Sequence, residues 1–123
     1  RSGARRFDVG EASNFILAPI AAAALDQLLE WGVESIAASL EAFTAAIADW
    51  AVESGFAVAP RIFRSPHLIG LHKPGGFPDD LPARLAREKV FVSVRGDSIR
   101  VAPHVYNNPM DLERLFAVLS QSL

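Results

Sequence analysis

Apolar residues recur at steps of three and four along the first half of the chain, which predicts two α-helices. The first stripe begins at Leu17 and the second ends at Trp50. One continuous helix over both stripes would be roughly 60 Å long at ~1.5 Å per residue, too long for a domain of this size. We therefore predict a break at Gly32 and a C-terminal stop at Gly55.

The pattern becomes shorter after the second helix and favours strands. Segments 56–59 and 68–72 are apolar and bounded by prolines, which is typical of strands at the edge of a sheet. A short helix at 81–86 follows, and Asp79 or Asp80 is the expected N-cap because a carboxylate accepts the first free amide protons of a helix.

Strict alternation of apolar and polar residues between Val90 and Pro103 predicts a β-hairpin whose two-residue turn is Gly96-Asp97. This turn predicts the cross-strand pairs Arg95 with Ser98, Val94 with Ile99, and Ser93 with Arg100. One face then carries Val92, Val94, Ile99 and Val101, and the other carries Ser93, Arg95, Ser98 and Arg100.

A last helix is predicted from Asn108, a good N-cap, with Pro109 in the first helical position and Asp111 at the third. The order of elements indicates an α+β fold: a two-layer small domain with long N-terminal helices and a C-terminal helix packed on a small, mostly antiparallel sheet. We assign residues 1–16 to an extended arm and residues 17–123 to the domain.

Composition excludes several classes of function. Half of the 123 residues are apolar, the formal net charge is −2, and the basic residues are scattered, so we expect no nucleic-acid or membrane partner. The apolar stretch 15–25 is too short to span a bilayer. Without cysteine the chain has no thiolate nucleophile or thiolate zinc site, and its three histidines lack metal-ligand spacing, so we predict no metal and a cytoplasmic location.

Arg100 is the first candidate for chemistry, because a guanidinium on a strand offers a planar fork that matches a carboxylate. Arg95 shares its face, and His104 continues the same parity, so the hairpin is expected to present a cationic patch with no acid of its own. The alternatives are a surface arginine that pairs with a neighbouring acid and, for His104, a hydrogen-bonded structural residue.

The segment 100–108, Arg-Val-Ala-Pro-His-Val-Tyr-Asn-Asn, followed by Asp111, resembles the closing motif of the class V aminotransferases. Segment 5–14 is similar to the arm that precedes the first helix in this family, and segment 28–36 to its helix junction. Together these segments extend over nearly the whole chain in the family's order.

The resemblance implies the C-terminal small domain of a fold-type I pyridoxal-phosphate enzyme, normally a homodimer with its active site between this domain and a large cofactor domain. It implies that Arg100 binds the α-carboxylate of an amino-acid substrate, with Arg95 and His104 as neighbouring substrate-binding candidates. The arm at Gly10 and Glu11 would approach the cofactor phosphate of the partner subunit. Glu11 stands where the family commonly has threonine, so this contact is carried mainly by Gly10 and its neighbours.

The lysine that holds the cofactor belongs to the large domain of such enzymes, and neither Lys73 nor Lys89 stands in a context that resembles it. We therefore expect this chain alone to be inactive. Relatives of the pattern transaminate, epimerise, remove sulfur or selenium, or hydrolyse kynurenine, so the reaction stays open. The alternative is a free-standing, non-catalytic α+β module that binds a small acid or a partner protein through Arg95 and Arg100.

Overall fold

A computed structural model describes Gly3, Arg6 and residues 15–122 of the chain. Its internal contacts divide the chain into two units, Arg1–Val33 and Glu34–Leu123, which we describe one by one. The predicted boundary between residues 16 and 17 stays a prediction.

The first unit contains helix α1, Leu17–Trp31, which is apolar and rich in alanine. None of its residues is buried. The helix ends at Gly32, whose φ of 80° is easily adopted only by a residue without a side chain. The amide of Gly32 donates to the carbonyl oxygens of Leu28 and Leu29, at 3.1 and 3.2 Å. The predicted break at Gly32 is confirmed.

Helix α2, Val33–Glu53, contributes Leu40, Thr44, Ile47, Ala48 and Ala51 to the interior. Gly55, with φ 82°, ends this region, and the amide of Phe56 donates back to the Ala51 carbonyl at 2.8 Å. The predicted stop is therefore confirmed. By length and composition alone α2 is also apolar enough to cross a membrane, and 28% of its apolar window is buried inside the structure.

Three short strands form one antiparallel sheet: β1 Ile69–His72, β2 Ser93–Arg95 and β3 Ser98–Val101. Strand β3 lies in the middle, between β1 and β2. The hairpin pairs are the predicted ones: Ser93 with Arg100, Val94 with Ile99, and Arg95 with Ser98. Gly96 has φ 59°, the positive value that a tight hairpin turn requires.

The predicted strand at 56–59 was wrong. Only Ala57 bridges the sheet, exchanging two backbone hydrogen bonds of 2.8 and 2.9 Å with His72. Pro60 follows closely, cannot donate to a ladder, and leads into the single 3₁₀ turn Arg61–Phe63. The strand predicted at 68–72 exists but begins at Ile69, because Leu68 closes a turn with Ser65.

Two further helices follow the expected order: α3, Leu81–Arg87, and α4, Pro109–Ser122. Asp80 occupies the N-cap position of α3 but makes no side-chain cap, because Arg84 binds both carboxylate oxygens at 2.9 Å. The predicted capping role of the aspartates is thus wrong.

The start of α4 is built as predicted. Asn108 Oδ1 accepts the amide proton of Met110 at 2.8 Å, and Asp111 Oδ2 accepts that of Asn108 at 2.9 Å. These reciprocal bonds satisfy amide protons that have no partner within the helix.

The core of the second unit lies between the sheet and the helices. One sheet face contributes Ile69, Leu71, Ile99 and Val101, while α2, α3 and α4 contribute Ile47, Ala48, Ala51, Leu81, Leu85, Leu115, Val118 and Leu119. The ring of Trp50 stacks on Phe116 with centroids 4.8 Å apart, which joins α2 to α4. The predicted α+β architecture of helices on a small antiparallel sheet is confirmed.

Candidate carboxylate-binding face

The side of the sheet that faces away from the core carries the polar residues of the strands. We call it the outer face, and it consists of Gly70, His72, Ser93, Arg95, Ser98 and Arg100. Strand alternation produces it: in β3, Ile99 and Val101 are buried, whereas Ser98 and Arg100 are half-buried. Because Ile99 and Val101 are buried in the core, Arg100 lies on the opposite side of the sheet.

Arg100 lies at the centre of the outer face, on the middle strand. Its Cα partners are Gly70 on β1 and Ser93 on β2, both small residues. A methyl group placed on Gly70 would meet nothing within 4 Å, so the surface beside Arg100 is open. Among the residues that the structure describes, none forms a hydrogen bond or salt bridge with the Arg100 side chain. Arg100 thus keeps its full capacity to bind an anion.

Arg95 is exposed on the same face, opposite Ser98. The nearby hairpin corner contains an acid: Asp97 Oδ1 lies 3.3 Å from His72 Nδ1 and accepts a hydrogen bond of 3.2 Å from Ser98 Oγ. The expectation of a cationic patch with no acid of its own is therefore wrong at this end. Asp97 neighbours the Ser98 end of the face, while Arg100 pairs across the strands with Gly70 and Ser93.

His104 lies beyond β3 in the turn that leads into α4. Its backbone amide donates to Asn107 Oδ1 at 2.8 Å, and its ring stacks on Tyr106 with centroids 4.7 Å apart. The imidazole makes no hydrogen bond to any residue in the described ranges. The structure thus brings Arg95 and Arg100 onto one face and places His104 in the following turn, without a bond to either.

Asp111 is close in sequence to this turn but belongs to the helix start. The hydrogen bond from the Asn108 amide, and then that from the Asn107 side chain, lower the pKa of its carboxyl group. In the same way the Arg84 side chain lowers the pKa of Asp80. Both carboxylates are thus stabilised in their charged form by local partners, and neither is poised for proton transfer.

The surroundings of the two lysines in the described chain, Lys73 and Lys89, differ from those expected of a lysine that holds pyridoxal phosphate. The backbone amide of Lys73 bonds to the Asp97 carbonyl at 2.9 Å at the end of β1, and Lys89 is exposed after α3 with φ 56°. Lys89 borders a cavity of about 280 Å³ that is also lined by Tyr106 and Asp111, but the residue itself is exposed to solvent and not enclosed as a cofactor lysine would be. Gly10 and Glu11, the predicted phosphate contacts, lie outside the described residues. Residues 15–122, with Gly3 and Arg6, contain no cluster of three or more metal-ligating side chains.

Two features of the structure were not predicted from the sequence: the pairing of Asp97 with His72, and a cavity of about 360 Å³ between α2 and segment 61–66. Asp97 was interpreted only as a turn residue, and β1 had no predicted partner that could bring His72 to the turn. For the cavity, the available signal was Arg61 and Arg64 between two prolines, in a segment too apolar for a plain surface loop.

Comparison with known proteins gives a likeness of fold. No family model matches the sequence, and no curated protein matches it. A solved structure described as a NifS-like protein superposes with a TM-score of 0.72 at 16% sequence identity, over 82% of this chain and 31% of that chain. The chain therefore shares its fold with part of that NifS-like protein and spans about a third of the length of that neighbour.

Proposed function

We propose that this chain is the small domain of a pyridoxal-phosphate-dependent enzyme of the class V aminotransferase type, and that Arg100 binds the carboxylate of its amino-acid substrate. The observation that carries the proposal is Arg100 itself, on the central strand of the outer face, with small neighbours and no ion pair in the described chain. The NifS-like fold supports it.

Arg100 is suited to bind a carboxylate because of the geometry of its guanidinium and the small loss of conformational entropy on binding. Its guanidinium can donate two parallel hydrogen bonds to the two carboxylate oxygens, which fixes the orientation of the ligand as well as its affinity. The strand holds the backbone of Arg100, so less backbone freedom is lost on binding than for an arginine on a loop. Gly70 and Ser93 leave room for the ligand, and Arg95 adds positive charge to the same face.

His104 is proposed as a further substrate-binding residue, because it follows β3 directly and its imidazole has no bond to the described residues. The stack on Tyr106 holds the ring in one orientation. A histidine so held would donate or accept one hydrogen bond from the substrate, and its contribution would be smaller than that of the bidentate Arg100.

The cofactor would be held outside the described residues, by a large domain of the same parent chain and by the arm at Gly10 and Glu11 of a partner subunit. Pyridoxal phosphate supplies an electron sink for chemistry at the amino-acid α-carbon. The contribution of this chain is to bind and orient the substrate by its carboxylate. On this proposal the parent is a cytoplasmic homodimer, and the isolated chain is inactive.

The test uses the complete protein encoded by the gene. We expect Arg100→Gln and Arg100→Lys to weaken amino-acid binding at least about tenfold, because a charge-assisted bidentate contact is lost or reduced to a single point charge. Without added amino acid, the absorbance of bound pyridoxal phosphate in both variants should equal that of the wild type. Binding is measured by amino-acid titration of that absorbance, and Arg87→Gln, at an exposed position of α3, serves as the matched control.

Unchanged amino-acid affinity in both Arg100 variants would remove this residue from the site. A gene that encodes no further domain would instead favour the free-standing module. In that case, titration of the chain with small carboxylic acids should shift the amide resonances of Arg100, Ser93 and Gly70.

A further inference from the structure

A cavity of about 360 Å³ lies on the second unit, and it shares no residue with the outer face. It lies between the first half of α2, with Ala37, Ala38 and Ala45 in its wall, and segment 61–66. Small-molecule sites commonly measure about 300–1,000 Å³, so this cavity suits a ligand of a few heavy atoms. The alanines make the room, since any longer side chain at these positions would enter it.

Arg64 supplies the unexplained charge of this cavity. It is half-buried in the wall, and its Nη1 atom is buried without a hydrogen-bond partner in the described chain. A buried donor with no acceptor is unfavourable and rare in folded proteins, and no described residue forms a salt bridge with the part of Arg64 that lines the cavity. The residue does not lie in a loose loop: its amide bonds to the Arg61 carbonyl at 3.1 Å, and the next residue, Ser65, closes a turn with Leu68.

Most other polar groups that line the cavity already have partners. Arg61 binds Glu41 Oε1 through two nitrogens at 2.7 and 3.0 Å. Thr44 Oγ1 lies 3.2 Å from the carbonyl oxygens of both Glu41 and Pro66, which ties segment 61–66 to α2. Ser65 Oγ is 2.7 Å from the ring of His67. These paired groups line the cavity, and none of them forms a hydrogen bond or salt bridge with the Arg64 side chain.

Glu34 is the second charged group in the wall without a bond to the described residues. It is exposed at the start of α2, whereas Arg64 is half-buried. A ligand with two negative groups would satisfy Arg64 but meet repulsion from Glu34. A ligand with a carboxylate at one end and an ammonium group at the other complements both charges.

We propose that this cavity is a binding site for a small zwitterionic amino acid, with its carboxylate on Arg64 and its ammonium group toward Glu34. The site is independent of Arg100 and of the function proposed for the outer face.

The test is a titration of the ¹⁵N-labelled chain, followed by NMR, with β-alanine and γ-aminobutyrate as zwitterionic probes and succinate and inorganic phosphate as anionic ones. We expect saturable shifts of the Ala37, Ala38 and Ala45 amides, with tighter binding of at least one zwitterion than of either anion. Arg64→Gln should weaken this binding at least about tenfold, because a charge-assisted contact is lost. Arg100→Gln is the matched control and should leave it unchanged.

Ala38→Leu provides a second variant for the case in which Arg64→Gln disturbs folding. Residue 38 is exposed at the cavity wall, so the larger side chain fills the space without entering the core. It should abolish the shifts while the circular dichroism spectrum stays that of the wild type. The proposal is overturned by the absence of saturable shifts with all four probes, by equal affinity in the Arg64→Gln variant, or by tighter binding of succinate or phosphate than of both zwitterions.

Discussion

The two faces of the three-stranded sheet differ in what holds them in place. The inner face places Ile69, Leu71 and Ile99 in the core at 0–1% exposure, where helices cover them. The outer face carries Arg95 on β2 and Arg100 on β3, and Arg100 is separated from buried Ile99 by a single step in sequence. Burial of the inner face stabilises the sheet, whereas the residues of the outer face are available to bind a ligand.

This division has a physical basis. Because side chains alternate along a strand, a shift of one residue in register would bury Arg100 and expose Ile99. Burying an unpaired charge and exposing an apolar side chain are both unfavourable, so the core holds the orientation of the arginine without touching it. Stability and binding should therefore respond separately to substitutions on the two faces.

The largest expected effect is on the inner face. Ile99→Ala should lower the free energy of unfolding by about 2–5 kcal/mol, because it removes buried methyl groups and leaves a cavity. Ser93 is exposed on the outer face and makes no side-chain hydrogen bond to the described residues, so Ser93→Ala should change stability by less than about 0.5 kcal/mol. Urea unfolding followed by circular dichroism measures both. Equal losses in the two variants would contradict the distinction between the faces.

Helix α4, which packs in the core with the inner face, provides the next test. Asn108→Ala removes the acceptor of the Met110 amide proton at the start of α4 and should cost about 1 kcal/mol. Asn108→Ser is the control, since its hydroxyl can accept the same proton and should retain most of the stability. Urea unfolding compares the two variants with the wild type, and an alanine variant as stable as the serine one would contradict a capping role.

The pH dependence of stability should identify the acid partner of this cap. The pKa of Asp111 is lower in the folded chain than its ordinary value of 3.8, so its contribution is present above that pH and is lost as the pH falls through the folded-state value. Asp111→Asn should therefore be less stable than the wild type above pH 3.8, and the two should converge at lower pH. A difference that is constant with pH would exclude ionisation as the cause.

The smallest expected effect is that of Arg100 on folding. Arg100→Gln should change the free energy of unfolding by less than about 0.5 kcal/mol, because the side chain has no ion pair in the described part of the chain to lose. Thermal or urea unfolding tests this. A loss above 2 kcal/mol would mean that Arg100 supports the fold, and the separation of the two faces would fail.

Local sequence signals were reliable where one short-range rule dominated. The Gly96-Asp97 turn set the hairpin register, Gly32 and Gly55 ended their helices, and Asn108 with Asp111 started α4. They failed where a distant or competing partner decided the outcome. The Asp80 carboxylate binds Arg84 and does not cap α3. Segment 56–59 forms a single bridge to the sheet because Pro60 turns the chain away.

Helices α1 and α2 show the limit of periodicity as a guide to packing. Both are apolar and rich in alanine, and both stripes predicted a helix correctly. The structure buries five residues of α2 and none of α1. An apolar stripe predicts that one side of a helix is buried, but it does not identify the residues that pack against that side.

The sequence by itself determined the four helices of the described chain, the hairpin register and the side of the strand on which Arg100 lies, because periodicity and turn chemistry act over a few residues. Only the tertiary structure decided which charges find partners. It brought Asp97 to His72, placed Arg100 between Gly70 and Ser93, and left Arg64 unpaired beside a cavity. These outcomes depend on the pairing of β1 with β3 and on the packing of α2, which join residues distant along the chain.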